Sequence, residues 1–451
     1  MFSIETDVDN VINLVNSINP QCKIKKSNKK LYTDINCRLS QSLYKNTNNQ
    51  DNIINTIKYV YEVIRSGILV VIKDNKLITF QAFANPNFTN NWFDKIKLYG
   101  VKDNSNNKIK DFENKRKQVF KHNKNYITDI KNWWTNAFIL NNEKVEDVWG
   151  THSLAEYHGL LINLLENRNI NDVTFIINKR DHPILHYKCY EPYLKMFCNK
   201  YQLIDSKFRN NNFIPILSPY SNIRYLDIPF IVPQDYQLAI SDNTYYEIKS
   251  EDIVKWEDKK DTAFFRGSAT GSMEFKYNQR LQITKLSNEW EKVKPGLLDA
   301  GIVSWNPRDK IDSQCRINYI KPYEMKKLNI RLKEKVPMNK QLIYKYILNI
   351  DGHSKPNRTS YLLNCGSVMF IVESKYVVGN ICWFDNVLKP FTHYIPIKYD
   401  FSDLEEKILW CRENDNKCKK IVENSKLLYS KIISKDGIYD YCEYLFNSFK
   451  C

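Results

Sequence analysis

The sequence predicts an α/β protein of two Rossmann-like domains that face a cleft, preceded by an N-terminal extension. Three observations lead there. At 451 residues the chain is longer than one ordinary hydrophobic core supports. Apolar runs of strand length alternate with amphipathic helical patterns in both halves of the chain. Several of those runs end at polar, glycine-containing loops, as the strands of a parallel sheet covered by helices do.

The elements follow in order. Residues 1–60 mix a helical pattern at Val8, Val11, Ile12 and Val15 with Asn-rich polar sequence. Residues 68–83 read as a hairpin, an apolar run and Leu77-Ile78-Thr79-Phe80 joined through the polar turn Lys73-Asp74-Asn75-Lys76. The charged stretch 102–125 reads as a loop leading into a helix. Leu154, Tyr157, Leu160, Leu161, Leu164 and Leu165 mark one face of a helix, and the run Val173-Thr174-Phe175-Ile176-Ile177 after it reads as a buried strand.

The second half repeats this logic. Ala263-Phe264-Phe265 is a strand ending at Arg266-Gly267-Ser268, and a charged helix follows over 276–292. Tyr346 to Ile350 is a strand ending at Asp351-Gly352. A helix then starts near Ser360, with Thr359 and Ser360 as possible caps. Val368 to Val372 and Tyr394 to Ile397 are further strand segments, and an amphipathic helix begins at Asp403.

Composition narrows the class. Hydrophobic residues make up 43% and aromatics 13%, which suits packed domains and excludes a disordered chain. The net charge of +16 favours anionic partners such as nucleotide sugars, phospholipid, nucleic acid or acidic glycan. Lysine on solvated faces explains it equally. Nucleic-acid binding lacks a clustered Arg and aromatic module. The eleven cysteines are odd in number and contain no C-x-x-C pair, as expected of reduced thiols in a cytoplasmic protein. Met1 to Asp7 carries no apolar core of a secretory signal, and the longest apolar runs are too short to span a bilayer.

Three blocks carry chemistry. Phe264 to Gly271 is a strand that ends in Arg-Gly-Ser, where exposed N–H groups and a cationic fork suit a phosphate; alone, it is also an ordinary strand-to-loop turn. Asn349 to Arg358 is strand, glycine-containing loop and helix start, with Arg358 in reach of a charge bound there. Asn178-Lys179-Arg180-Asp181-His182-Pro183 sets a carboxylate at the end of a strand, the usual place for a catalytic group, though a turn before proline also uses Asp structurally. Metal chemistry finds little support. His182 and His186 are separated by Pro183, and the sole D-x-D, Asp7-Val8-Asp9, lies at the extreme N-terminus.

These blocks, in the chain order 178–183, 264–271 and 349–358 and followed by Leu388-Lys389-Pro390-Phe391-Thr392-His393-Tyr394-Ile395-Pro396, resemble glycosyltransferase family 90, the capsule-associated group that includes protein O-glucosyltransferases. The resemblance covers roughly 170–450. It implies a GT-B-type fold, with an acceptor-side domain over 111–235, a donor domain over 236–425, an extension over 1–110 and a C-terminal helix over 426–451. It implies Asp181 as catalytic base, and Arg266, Gly267, Ser268, Arg280, Gly352, Ser354 and Arg358 around a UDP-sugar. The segment Asp227-Ile228-Pro229-Phe230 resembles one that lines the donor site.

The expected activity is therefore inverting transfer of a hexose or pentose from a UDP-sugar to a hydroxyl of a protein or glycan acceptor, with no metal or other cofactor. The alternatives are an inert glycan- or nucleotide-binding module of the same fold, or a basic nucleic-acid-binding protein. The sequon Asn357-Arg358-Thr359 inside the implied donor loop agrees with a cytoplasmic home, because a glycan there would block the nucleotide.

Overall fold

The structure, a computed structural model, describes residues 49–84, 151–190, 203–240, 248–305 and 327–449, apart from positions 65, 179, 210, 211, 273, 274, 329, 375, 376 and 378. The helical pattern at Val8–Val15 and the charged stretch 102–125 lie outside them. The chain divides into two compact units. Among the described residues the first takes 49–84, 151–190, 203–233 and 439–449, and the second takes 234–240, 248–305 and 327–438.

The first unit opens with helix α1 (Gln50–Tyr59), capped by the Asn49 side chain, which accepts from Asn52 N. Strands β1 (Ser66–Lys73) and β2 (Lys76–Ala84) form the expected hairpin. Asp74 and Asn75 at its tip have φ of 50° and 54°, the left-handed pair that a two-residue turn needs to match strand twist. Helix α2 (Thr151–Asn167) buries Tyr157, Leu160, Leu161 and Leu164 and leads into β3 (Val173–Ile177), whose five residues are all buried. Each such Leu stabilises the unit by about 1.5–3 kcal/mol. Short strands β4 (Ile216–Ser218) and β5 (Ile228–Pro229) complete a sheet of order β2-β1-β3-β4-β5.

This sheet is mixed, where a parallel one was expected. β3, β4 and β5 are parallel, but β1 runs antiparallel to both β2 and β3. A two-residue turn joins only antiparallel strands, so adding the hairpin beside β3 makes that edge antiparallel. The hairpin, assigned to an extension on sequence grounds, is thus part of the first unit's sheet.

The second unit carries a wholly parallel sheet. It begins with α3 (Pro233–Ile240) and continues through β6 (Lys260–Ser268), α4 (Gln279–Val293) and β7 (Leu298–Ser304). Then come β8 (Tyr344–Asn349), α5 (Thr359–Asn364), β9 (Val368–Val372) and β10 (Ile395–Ile397). Helices α6 (Leu404–Glu413) and α7 (Asp415–Ile432) follow. Phe265, Tyr346, Leu348 and Phe370 from the sheet share one core with Ile283 of α4, Leu404 and Ile408 of α6 and Ile421 of α7.

Strand order is β10-β9-β8-β6-β7. Counted from β6 this is 2-1-3-4-5, a doubly wound order whose switch point lies between β6 and β8. The last helix, α8 (Lys435–Ser448), is separate from α7 and ends in the first unit, where Phe446 stacks on Phe175 of β3 at 4.8 Å between centroids.

Candidate active site

At the switch point of the second unit, β7 continues the chain on one side of β6 while β8 lies on the other. The loops leaving β6 and β8 therefore turn apart and leave a crevice at the strand ends, where ligands of such sheets bind. The sequence-implied donor residues meet here.

Arg280, on the first turn of α4, ties the two loops together. Its Nη1 donates to Ser268 O at 3.0 Å and Thr270 Oγ1 at 2.6 Å, beyond β6. Its Nε donates to Asp351 O at 3.1 Å and its Nη2 to Ile350 O at 2.9 Å, beyond β8. Asn278 starts α4 at the right place by accepting from Leu281 N. Arg358 crosses the same strand ends, donating to Arg266 O at 3.0 Å and Leu348 O at 3.1 Å. Both guanidinium groups lie over the Phe265 ring, 5.7 Å from its centroid for Arg280 and 5.1 Å for Arg358.

Burial, and then the neighbouring Arg358 cation, push Arg280 down to about 9, so it stays charged at neutral pH. The nearby Asp351 is pushed up to about 6, chiefly by burial. Two cations held largely by backbone carbonyls leave positive charge at the crevice, as an anion site requires.

Glycines make this packing possible. A Cβ at Gly352 would sit 2.3 Å from Thr270 Oγ1 and 3.0 Å from Arg280 Nη2, and one at Gly267 would meet the Phe265 ring at 3.1 Å. Gly352 N donates to Ser354 O at 2.9 Å, so buried Ser354 shapes the loop through its backbone. Ser268 Oγ accepts from Ser304 Oγ at 2.7 Å. Thr359 and Ser360 do not cap α5 with their side chains. Thr359 Oγ1 donates to Pro356 O, and the Ser360 hydroxyl donates to buried Asp235 of α3.

Arg266 is engaged elsewhere. Its Nη2 pairs with both oxygens of Asp299, at 2.8 and 3.0 Å, and its guanidinium lies over Phe264. Lys333 Nζ joins the same carboxylate at 2.8 Å. Burial pushes Asp299 upward, but the bonds from Lys333 and Arg266 hold it below the usual range. Sequence reasoning missed this partner, although an acid inside the apolar run Leu298-Asp299-Ala300 was the signal. It also missed Phe265 as a platform, Thr270, and the buried pair of Lys355 with Asp385 at 2.6 Å.

The first unit holds Asp181, in the loop that leaves β3. Its side chain is 41% exposed, whereas those of its neighbours Arg180 and His182 are buried. His182 Nδ1 stands 4.0 Å from Asp181 Oδ1. Asn178, at the strand end, wraps the loop: Nδ2 donates to His182 O at 2.7 Å and Oδ1 accepts from Arg180 N at 2.9 Å. Asp227, expected beside the donor, lies in this unit. Its carboxylate accepts from Ile184 N, Leu185 N and the Ser218 hydroxyl, and burial pushes it up to about 6.

Among the described residues, no group of three or more His, Cys, Asp or Glu is gathered to hold a metal ion, and no helix is long and apolar enough to cross a membrane.

Comparison with known proteins adds an independent line. A family model described as glycosyl transferase family 90 matches residues 148–450. Uncharacterized protein 035R of Invertebrate iridescent virus 3 is 31% identical over 405 residues, 87% of this chain and 36% of that protein. Protein O-glucosyltransferase 3 of Mus musculus is 28% identical over 293 residues, 62% of this chain and 48% of that protein. The chain thus spans less than half the length of these relatives. Among solved structures, Anabaena Alr3699/HepE in complex with UDP-glucose aligns at 14% identity over 45% of this chain and 54% of that one, with a TM-score of 0.29, a likeness that carries no inference.

Proposed function

The chain belongs to glycosyl transferase family 90, and from that membership we propose that it moves a sugar from a UDP-sugar to a hydroxyl acceptor with inversion. The observation that carries the reading is the pair of guanidinium groups, Arg280 and Arg358, gathered over Phe265 at the switch point of a parallel sheet. A nucleotide diphosphate is the ligand such a crevice suits.

In this reading the Asp181 carboxylate takes the proton of the acceptor hydroxyl as its oxygen attacks the anomeric carbon. The bond from that carbon to the β-phosphate oxygen breaks, and its electron pair leaves on UDP. Arg358 and Arg280 stabilise the charge that gathers there, with no metal ion required. Arg266 has a structural part, since its fork is paired with Asp299. Ser268, Gly267, Gly352 and Ser354 shape the cradle by backbone and hydroxyl.

The mouse relative's name supports glucose as the sugar and a protein hydroxyl, such as that of Ser or Thr in this reading, as acceptor. Cys189, Cys365, Cys382, Cys411, Cys418 and Cys442 are free thiols, which supports a reducing, cytoplasmic setting.

The test is UDP release by the purified chain across UDP-glucose, UDP-xylose and UDP-galactose. Release from one donor, lost in Asp181→Asn, is expected. UDP binding without release from any donor points instead to an inert module, and absence of UDP binding contradicts the donor site.

A further inference from the structure

Asp181 lies in a loop whose residues on either side of it are fixed. The fixing comes from one connected set of buried groups. Asn178 is fully buried, and its Nδ2 donates to His182 O at 2.7 Å and to Ser218 Oγ at 3.0 Å, with a longer contact to Arg180 O at 3.4 Å. Its Oδ1 accepts from Arg180 N at 2.9 Å. Ser218, at the end of β4, donates its own hydroxyl hydrogen bond to Asp227 Oδ1 at 2.6 Å. Asp227 then takes the far end of the same loop, accepting from Ile184 N at 2.8 Å and Leu185 N at 2.7 Å. Its main chain is held in turn, since Ser221 Oγ donates to Asp227 O at 2.7 Å.

The loop is therefore gripped at 180, 182, 184 and 185, and position 181 lies between two of the grips. A buried amide, hydroxyl and carboxylate that satisfy one another are costly to disturb and rigid when complete. None of the three needs to touch a substrate for this to matter. A general base must stand within hydrogen-bond reach of the proton it takes, and a displacement near 1 Å can cost on the order of 100-fold in rate.

We propose that Asn178, Ser218 and Asp227 form a clamp that sets the position of the Asp181 carboxylate, with Asn178 and Ser218 as positioning residues for the transfer step. This rests on the reading of Asp181 as the base. The clamp acts on kcat and leaves donor binding alone, because every group it holds belongs to the loop after β3.

The mildest break is Ser218→Ala, which removes one oxygen that both accepts from Asn178 and donates to Asp227. Asn178→Ala removes the centre of the clamp. Both are compared with wild type and Asp181→Asn, using UDP release from UDP-glucose and UDP-xylose, melting temperature, and amide hydrogen exchange across 180–185. The expected result is a kcat about 10- to 100-fold lower in Ser218→Ala and lower again in Asn178→Ala. Donor KM stays within about 2-fold of wild type, and faster exchange is confined to 180–185.

Wild-type kcat in both variants, with Asp181→Asn inactive, overturns the clamp and leaves the base assignment standing. So does unchanged exchange at 180–185, whatever the rate. A fall in kcat that merely follows a general loss of protection and melting temperature also overturns it, since the effect is then only on folding. Full turnover in Asp181→Asn is a different failure, of the base assignment itself. A wild type that releases UDP from neither donor contradicts the transferase reading.

Discussion

The loop after β3 in the first unit and the paired loops after β6 and β8 in the second solve opposite problems. The first presents one half-buried carboxylate and grips its loop with neutral donors that end on a buried acid, Asp227. The second gathers two half-buried cations and holds them with main-chain carbonyls and an aromatic ring. A carboxylate neighbour would neutralise the cations of the second cluster. Arg266 shows the contrast within a single strand. It lies in β6 beside Phe265, yet its fork pairs with the Asp299 carboxylate, which Lys333 shares. In the proposed reading, proton acceptance and anion binding fall to different units, so each can be broken separately.

The largest expected effect is from Asp181→Asn. Turnover should fall by about 100- to 10,000-fold, the usual weight of a general base, with UDP affinity retained; rates measured at saturating donor check it. Next are Arg358→Ala and Arg280→Ala, each expected to lower turnover on the order of 100-fold, as loss of a charge-stabilising donor does, and to weaken UDP binding. Arg280→Ala should also lower the melting temperature, because it leaves the carbonyls of Ser268, Ile350 and Asp351 short of a donor.

Gly352→Ala sharpens the comparison without removing a charge. The added methyl meets Thr270 Oγ1, so the loops must separate at a cost of about 1–3 kcal/mol, read by denaturant unfolding. Thr270→Ala in the same chain should recover part of it.

The smallest effect concerns Asp235, which accepts from Ser360 and from Trp383 Nε1 and so anchors the start of α5. Burial pushes it up to about 6 from an ordinary 3.8. A raised carboxylate favours the folded state while protonated, so its contribution is complete below about pH 4 and is lost as pH rises through about 6. The stability advantage of wild type over Asp235→Asn should therefore shrink by about 1 kcal/mol between pH 5 and 7.5, measured by unfolding at both. A gap that widens with pH contradicts the sign.

Much of the second unit was legible because its signals are local. The apolar runs at 263–265, 346–350 and 368–372 each became a parallel strand, and the first two end at the loops that hold residues proposed for the donor. Strand order was not legible, since β6 pairs with β8 across a long excursion through β7 that no periodicity encodes. The hairpin at 66–84 was read correctly as a hairpin, but its seat against β3 depends on a pairing with residues 173–177, far along the chain.

Arg266 was expected to face a phosphate because the Arg-Gly-Ser block is a local signal. Its partner Asp299 comes from β7, and only the fold joins them. Asn178 carried no role of its own in the sequence for the same reason, since its contacts are completed by Ser218 of β4 and by Asp227 just before β5.

The most direct test of the division between units is a calorimetric titration of UDP into wild type, Asp181→Asn and Arg358→Ala under one set of conditions. The account predicts wild-type affinity in Asp181→Asn and at least about 10-fold weaker binding in Arg358→Ala, a loss of about 1.4 kcal/mol. Equal affinity in all three, or weakened binding in Asp181→Asn alone, contradicts it.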